Sequence, residues 1–451
     1  MKKLLTGILV CFFLSACTPV NSQGFTPGAP PAADDGDSTS PGGEGNDPSP
    51  GDGVLSNDAT RRTMEMGIGW NLGNNLDAYE EDPDDKDYLM PSETIWGNKK
   101  VTQAALQKVH DAGFTTIRIP VTWLGMIGPA PDYTINADWM ARVTEVVNYA
   151  RNAGFANIIV DTHHDEDHDD GHWQNLKGAV KDAAINAQVK EEIAAVWGQI
   201  ARNFADCGEW LVFEGFNELN DGDWDGGSNI AAKCNIINQW LQVFVDTVRG
   251  CGGYNETRWL SVTTYCGNPK FAKYLVFPND PAGKLMLAVH FYDPSDYTLG
   301  KRGADKKLYL PYSDWGHTAE PGLSKGKYDE DFARETFKTL YDNYIAKNIP
   351  VYIGETGCSK RADSDTRGRA FRKYYLEYIF KAARTYCLPC TLWDCGGSGK
   401  EGPEHHPYFR RDNGEFYDDD AREMIETIVK AWTSEDPEYT LESVYDSAPR
   451  F

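Results

Sequence analysis

The residues of this chain best able to do chemistry stand at the ends of short apolar, β-branched runs. Arg118 lies in one such run. His163 and His164 close a second, Asn217 and Glu218 a third. His290, Phe291 and Tyr292 close a fourth, Glu355 a fifth, and Trp393 lies in a sixth. Carboxyls, imidazoles, a guanidinium and a phenol gathered at one rim can move protons, steady an anion and attack an electrophile. Singly, each has an ordinary structural reading: a loop ion pair for a Glu, a satisfied hydrogen-bonding group for a His, core for a Trp. Six at equivalent positions argue for one site.

Something must bring those run ends together. The pattern predicts strands over Met66–Asn71, Thr115–Pro120, Asn157–His163, Leu211–Asn217, Trp259–Tyr265, Leu285–Tyr292, Pro350–Glu355 and Cys390–Asp394. Amphipathic segments with 3–4 spacing separate them. Val189, Ile193, Val196, Trp197, Ile200 and Phe204 form the clearest stripe. Trp139, Val143, Val146, Val147 and Ala150 form another, and Phe371, Tyr375, Tyr378, Ile379 and Ala382 a third. These stripes read as core-facing helix surfaces. Strands alternating with helices predict an α/β fold, a (β/α)8 TIM barrel in a single catalytic domain, with its site at the C-terminal rim of the strands. The helical segment Ala421–Trp432 is expected to close it. A doubly wound sheet is the alternative, but no Gly-x-Gly-x-x-Gly follows the first strand and the chain has no P-loop.

The 451 residues suffice for one large domain, and 41% are hydrophobic. A formal net charge of -24 repels nucleic acid and anionic membrane surfaces and favours a neutral ligand. Residues 1–17 read as a leader: Lys2 and Lys3, an apolar stretch from Leu4 to Leu14, then Leu14-Ser15-Ala16-Cys17, which looks like a bacterial lipobox with Cys17 as the acylated residue. Residues 18–53 are about half Pro, Gly and Ser and read as a disordered tether. The folded domain is expected over 54–451. Of the remaining eight cysteines, Cys387 and Cys390 have redox-motif spacing, yet with no second pair nearby they read as buried thiols or a structural disulfide. Two acidic stretches, Asp161–Asp170 and Asp221/Asp223/Asp225, read as solvated loops in preference to calcium sites, since neither carries a closing Glu.

The ordered set Arg118, His163, Asn217-Glu218, His290-x-Tyr292, Glu355 and Trp393 resembles glycoside hydrolase family 5, the cellulase family. Three stretches resemble its endoglucanase and xyloglucanase branch: Gly69-Trp70-Asn71-Leu72-Gly73-Asn74-Asn75-Leu76-Asp77, Glu93-Thr94-Ile95-Trp96-Gly97-Asn98 and Arg118-Ile119-Pro120-Val121-Thr122-Trp123. The resemblance spans the folded region. It implies a retaining endo-β-1,4-glucanase acting by double displacement on cellulose, xyloglucan or mixed-linkage glucan. Glu218 would be the general acid/base and Glu355 the nucleophile. Arg118 and Tyr292 would hold Glu355 ionised, and Asn217 would hold the sugar 2-hydroxyl. His163 and His290 would donate to hydroxyls or carboxylates. Trp393 would floor the reacting subsite, with His164, Asn74, Trp70 and Trp123 as further substrate contacts. No cofactor and no metal are expected. The expected partner is a polysaccharide or oligosaccharide, not nucleic acid, with membrane contact through the N-terminal lipid anchor alone and a monomeric state. The address is a bacterial cell envelope, its outer-membrane surface included. This sequence departs from the family pattern at Leu219, where Pro is common, at Thr356 and at Cys395. An endo-β-mannanase or xylanase could use the same two glutamates. A surface glycan-binding lipoprotein is the alternative of another class.

Overall fold

The computed structural model describes residues 57–451 apart from 83–84, 167–171, 304–307, 321–326 and 398–404. The leader 1–17, the tether 18–53, the first residues of the domain and the end of the acidic stretch, 167–170, lie outside the described residues.

Among the described residues, eight parallel strands close into a barrel in sequential order. They are β1 (Gly69–Leu72), β2 (Thr116–Ile119), β3 (Asn157–Val160), β4 (Leu211–Glu214), β5 (Leu260–Thr263), β6 (Leu285–Phe291), β7 (Val351–Thr356) and β8 (Cys390–Asp394). Each predicted run overlaps one of them, and β1 and β7 each extend one residue beyond their run. The barrel is the fold expected from the alternation of strands and helices.

Period-2 alternation decides which side chains face the barrel axis. Ile117, Ile119, Ile158, Val160, Leu211 and Phe213 belong to the large core between strands and helices. Ile159, Val212, Met286, Ala288 and Tyr352 form a separate inner cluster with Met66. One step further along the inward parity come Arg118, Asp161, Glu214 and His290, all buried. An apolar plug therefore fills one end of the barrel, and polar groups gather at the C-terminal end.

The helical stripes pack as expected. Helix Ala183–Asn203 buries Val189, Ile193, Val196, Trp197 and Ile200, and its Asp182 cap accepts from the Ala184 N–H. Helix Ala137–Ala153 buries Trp139, Val143, Val146, Val147 and Ala150. It stops at Gly154, whose φ of 104° lies in the left-handed region that glycine tolerates best. The closing helix runs Asp419–Thr433, capped by Asp418, and a short helix Leu441–Asp446 follows.

Most predicted strands overshoot, and at β3 and β4 the excess falls on site residues. The ladder of β3 stops at Val160 and that of β4 at Glu214, so His163, Asn217 and Glu218 sit on the loops just beyond. Isolated backbone bonds extend the barrel there: His163 N–H to Val121 O at 2.9 Å and Asn217 N–H to Thr162 O at 3.1 Å. These bonds tie the loops to the neighbouring chain without strand geometry. The eight described cysteines, Cys387 and Cys390 among them, are free thiols. No described helix is long and apolar enough to cross a membrane.

Candidate active site

Glu355 is aimed by a bulge. In β7, Tyr352 faces the barrel interior and Ile353 faces the helices. Strict alternation would turn Gly354 inward and Glu355 outward. Instead Ile353 pairs with Val289 of β6 while Glu355 pairs with its very next residue, His290. The extra residue, Gly354, flips Glu355 to the inner face beside His290. A bulge commonly re-aims a side chain in this way. The Gly354 carbonyl accepts from Asn71 Nδ2 at 2.9 Å. A Cβ on Gly354 would stand 3.2 Å from His290 Nε2, so glycine suits the close approach.

Arg118 organises the floor. Its Nη1 donates to Glu355 Oε1 at 2.8 Å and to Asn71 Oδ1 at 3.2 Å. Its Nε and Nη2 fork onto Glu214 at 3.0 and 2.8 Å. Nη2 also reaches Asn217 Oδ1 at 2.8 Å and Asp161 Oδ2 at 2.7 Å. Tyr292 O–H donates to the other Glu355 oxygen at 3.1 Å. Asp161 Oδ2 lies 2.9 Å from His163 Nδ1. Burial, with Arg118 and His290 nearby, pushes His163 well below its usual value, so the ring is neutral. With Nδ1–H donated to Asp161, Nε2 keeps a lone pair, 4.0 Å from Glu355 Oε1.

Glu218 has a different setting. Its Oε1 lies 2.6 Å from His290 Nδ1, which is itself 3.8 Å from Glu355 Oε2. Oxygens of the two carboxyls lie within 4.8 Å of one another. Desolvation pushes Glu218 from 4.5 up to about 7, against the opposing pull of Arg118. Below that pH it holds a proton it can donate, and above it the proton is gone. The expected result is a kcat/KM that falls as pH rises through about 7. A pH–rate profile flat to pH 9 would contradict it.

A model of the cellulase family, glycosyl hydrolase family 5, matches residues 77–399. The chain belongs to glycosyl hydrolase family 5. It is 34% identical over 358 residues to endoglucanase A of Paenibacillus barcinonensis, a match covering 76% of this chain and 84% of that one. A GH5-4 broad-specificity endoglucanase from Bacteroides salanitronis superposes with a TM-score of 0.74 at 43% identity, covering 82% of this chain and 93% of that one. A family 5 xyloglucanase from Paenibacillus pabuli does so with a TM-score of 0.71 at 32% identity, covering 82% of this chain and all (100%) of that one.

In this family 5 hydrolase, Arg118, His163, Asn217, Glu218, His290, Tyr292, Glu355 and Trp393 come together as the sequence predicts. Trp393 stacks on His163 with centroids 5.6 Å apart and planes 7° apart. Two proposed substrate contacts do not join them. Trp70 is 1% exposed and its indole N–H is held by Asp394 at 3.0 Å. Trp123 is fully buried and its indole N–H donates to Asp161 O at 3.2 Å. Both rings are core, Trp70 because Asn71 takes the inward parity of β1 in its place. His164 and Asn74 stay partly exposed at the mouth.

Beside His164 the rim also holds two rings to which the sequence assigns no role, Tyr79 and Trp96. Tyr79, Trp96 and His164 lie 5.6–5.8 Å apart, centroid to centroid, and all three are partly exposed. The Trp96 indole N–H donates to Tyr79 O at 2.9 Å. Buried Glu93 and Asn98 anchor this segment: Glu93 pairs with Arg142 at 2.8 Å, and Asn98 Nδ2 donates to Asn74 O and Cys395 O, both at 2.9 Å. The second acidic stretch is tied up by protein. Asp221 pairs with Lys233 at 2.7 Å and accepts from Tyr265 O–H at 2.7 Å, and Lys270 reaches Asp225 at 3.2 Å. Two other groups have metal-like composition, Glu218/His290/Glu355 and Asp77/His163/His164. In the first, Arg118 and His290 already occupy the carboxylates. In the second, Asp77 accepts from the Asn74 and Asn75 N–H groups and His163 Nδ1 is taken by Asp161.

Proposed function

We propose that Glu355 is the nucleophile and Glu218 the general acid/base of a retaining endo-β-1,4-glucanase, acting on cellulose, xyloglucan or mixed-linkage glucan. One observation carries this reading: two carboxyls within 4.8 Å, in unlike surroundings. Retaining enzymes space the pair by roughly 5–5.5 Å, and inverting ones by roughly 6.5–9.5 Å to admit water. Glu218, pushed up to about 7, keeps its proton below that pH. Glu355 takes donors on both oxygens, from Arg118 and Tyr292.

Glu355 attacks the anomeric carbon as Glu218 hands its proton to the departing glycosidic oxygen. The old C–O bond breaks and a glycosyl ester forms. Glu218, now a carboxylate, takes a proton from water, which attacks the same carbon and frees Glu355. Asn217 supports the sugar: with Oδ1 pinned by Arg118, its amide N–H groups are left to donate to the 2-hydroxyl. His163 Nε2 accepts from a neighbouring hydroxyl. Trp393 offers an apolar face to the ring, and its buried indole N–H, which has no protein partner among the described residues, meets a sugar oxygen or water. The excess of acidic residues favours a neutral chain over an acidic polysaccharide. Endo action on β-glucan is favoured by relatives named as endoglucanases and a xyloglucanase.

Reducing-sugar release from barley β-glucan, xyloglucan, carboxymethyl cellulose, mannan and xylan tests the assignment. Fast hydrolysis of one or more of the first three is expected. Preference for mannan or xylan would move the substrate class, and tight binding without hydrolysis would make the protein a glycan receptor.

The address rests on sequence alone. The basic start, the apolar stretch and Leu14-Ser15-Ala16-Cys17 support export and acylation of Cys17 at a bacterial envelope. Radiolabelled palmitate retained by Cys17→Ser would refute that.

A further inference from the structure

We infer that Glu214 is a positioning residue for this hydrolysis: it fixes the plane of Arg118, offsets its charge, and through it governs both reacting glutamates. The inference rests on the roles proposed above for Glu218 and Glu355.

Glu214 ends β4, four residues before Glu218, on the inward parity of Val212. Its side chain is 1% exposed. Two other strands reach it. Arg118 of β2 forks onto both oxygens at 3.0 and 2.8 Å. Tyr352 of β7, three residues before Glu355, donates its hydroxyl to Glu214 Oε2 at 2.5 Å. A fork of two parallel bonds fixes a guanidinium in direction as well as place. With Nε and Nη2 captured, the direction of Nη1 is set, and Nη1 is the nitrogen that donates to Glu355 at 2.8 Å. The same Nη2 steadies Asn217 and Asp161, and Asp161 orients His163. One carboxylate that touches neither substrate nor reacting atom thus orders four groups that do, or that hold those that do.

Charge gives the second part. Arg118 would meet Glu355 and Glu218 as a fuller cation without Glu214. Its field favours the ionised form of Glu218 and that of Glu214 opposes this. The other titratable groups around Glu218 are His290 on β6, Glu355 on β7, Glu166 after β3 and Cys266 after β5. Burial keeps His290 neutral and keeps Glu166 and Cys266 protonated. Removing the charge of Glu214 therefore makes Glu218 release its proton at lower pH.

Glu214→Gln keeps the shape and deletes the charge. The alkaline limb of kcat/KM should move down by about one pH unit, the usual effect of one nearby charge. At its new optimum kcat should be about 10- to 100-fold below wild type, with KM within about twofold. Tyr352→Phe keeps every charge and loosens the fork, so kcat should fall severalfold with the limb in place. A Glu214→Gln enzyme with the wild-type limb, whatever its thermal stability, would overturn the electrostatic role. Should that variant not fold, a Tyr352→Phe enzyme with wild-type kcat would overturn the positioning role. These failures differ from failure of the underlying reading. Full activity in Glu355→Ala would remove the reading itself, whereas a Glu355-dependent enzyme whose limb ignores Glu214 removes the inference alone.

Discussion

Glu355→Ala lowers kcat/KM on a soluble β-glucan by about 10^4-fold or more, the scale of a lost nucleophile. The loss is large because the neighbouring carboxylates cannot substitute. Glu214 is locked in its fork with Arg118, and Asp161 is shared between Arg118 and His163. The variant also strands one of the two N–H groups of Arg118 Nη1, the other staying on Asn71, at a cost of about 1–3 kcal/mol in stability. Glu355→Gln keeps the volume and a carbonyl oxygen toward Arg118, so it should fold better and be equally inactive. Binding of cello-oligosaccharides by either variant, followed calorimetrically, should stay within about tenfold of wild type, since the sugar contacts are made by other residues. A Glu355→Gln enzyme within tenfold of wild-type kcat/KM would show that the nucleophile lies elsewhere.

Glu218→Ala gives a loss that depends on the leaving group. On polymer, where the departing alkoxide needs a proton, the rate should fall about 10^2- to 10^4-fold. On an aryl cellobioside with an acidic phenol, the first step needs no proton and ester formation should proceed. Hydrolysis of that ester then stalls, because no carboxylate draws a proton from water. Azide needs no such help. Adding it should raise turnover and yield a β-glycosyl azide, formed by attack on the side vacated by the phenol. Unchanged turnover with azide, or a rate on polymer equal to wild type, would remove Glu218 from its role. His290 cannot take over: burial holds it neutral and its Nδ1 faces both carboxyls without standing in for either.

Much of this architecture is legible in the sequence. Each of the eight strands overlaps a predicted apolar run, and eight side chains assigned to the site from run ends meet at one rim. What was missed shares a physical reason. Glu214 looks like the last residue of an ordinary strand in Leu211-Val212-Phe213-Glu214. Parity held the signal, since an inward Val212 puts Glu214 inward as well. Asp161 was read as part of an acidic stretch, although it continues the inward parity of Ile159. Asn71 sits beside two tryptophans that draw the eye, and the same parity that turns Asn71 toward Arg118 turns Trp70 into the core. Trp123 follows an apolar run and carried no sign that its N–H would be spent on Asp161. The bulge at Gly354 was out of reach. Alternation along β7 sends Glu355 the wrong way, and the pairing with β6 that corrects it is a tertiary property. Tyr79 and Trp96 gain their significance from Glu93 and Asn98, whose partners are distant in sequence.

The central claim is double displacement at Glu355 with Glu218 as acid/base. Proton NMR of the earliest product, taken before mutarotation, tests it most directly. Two inversions at one carbon restore the starting configuration, so the new reducing ends should appear first as the β-anomer and only later equilibrate. Initial appearance of the α-anomer would mean a single displacement by water, and the carboxyl pair could not then have the roles assigned to it.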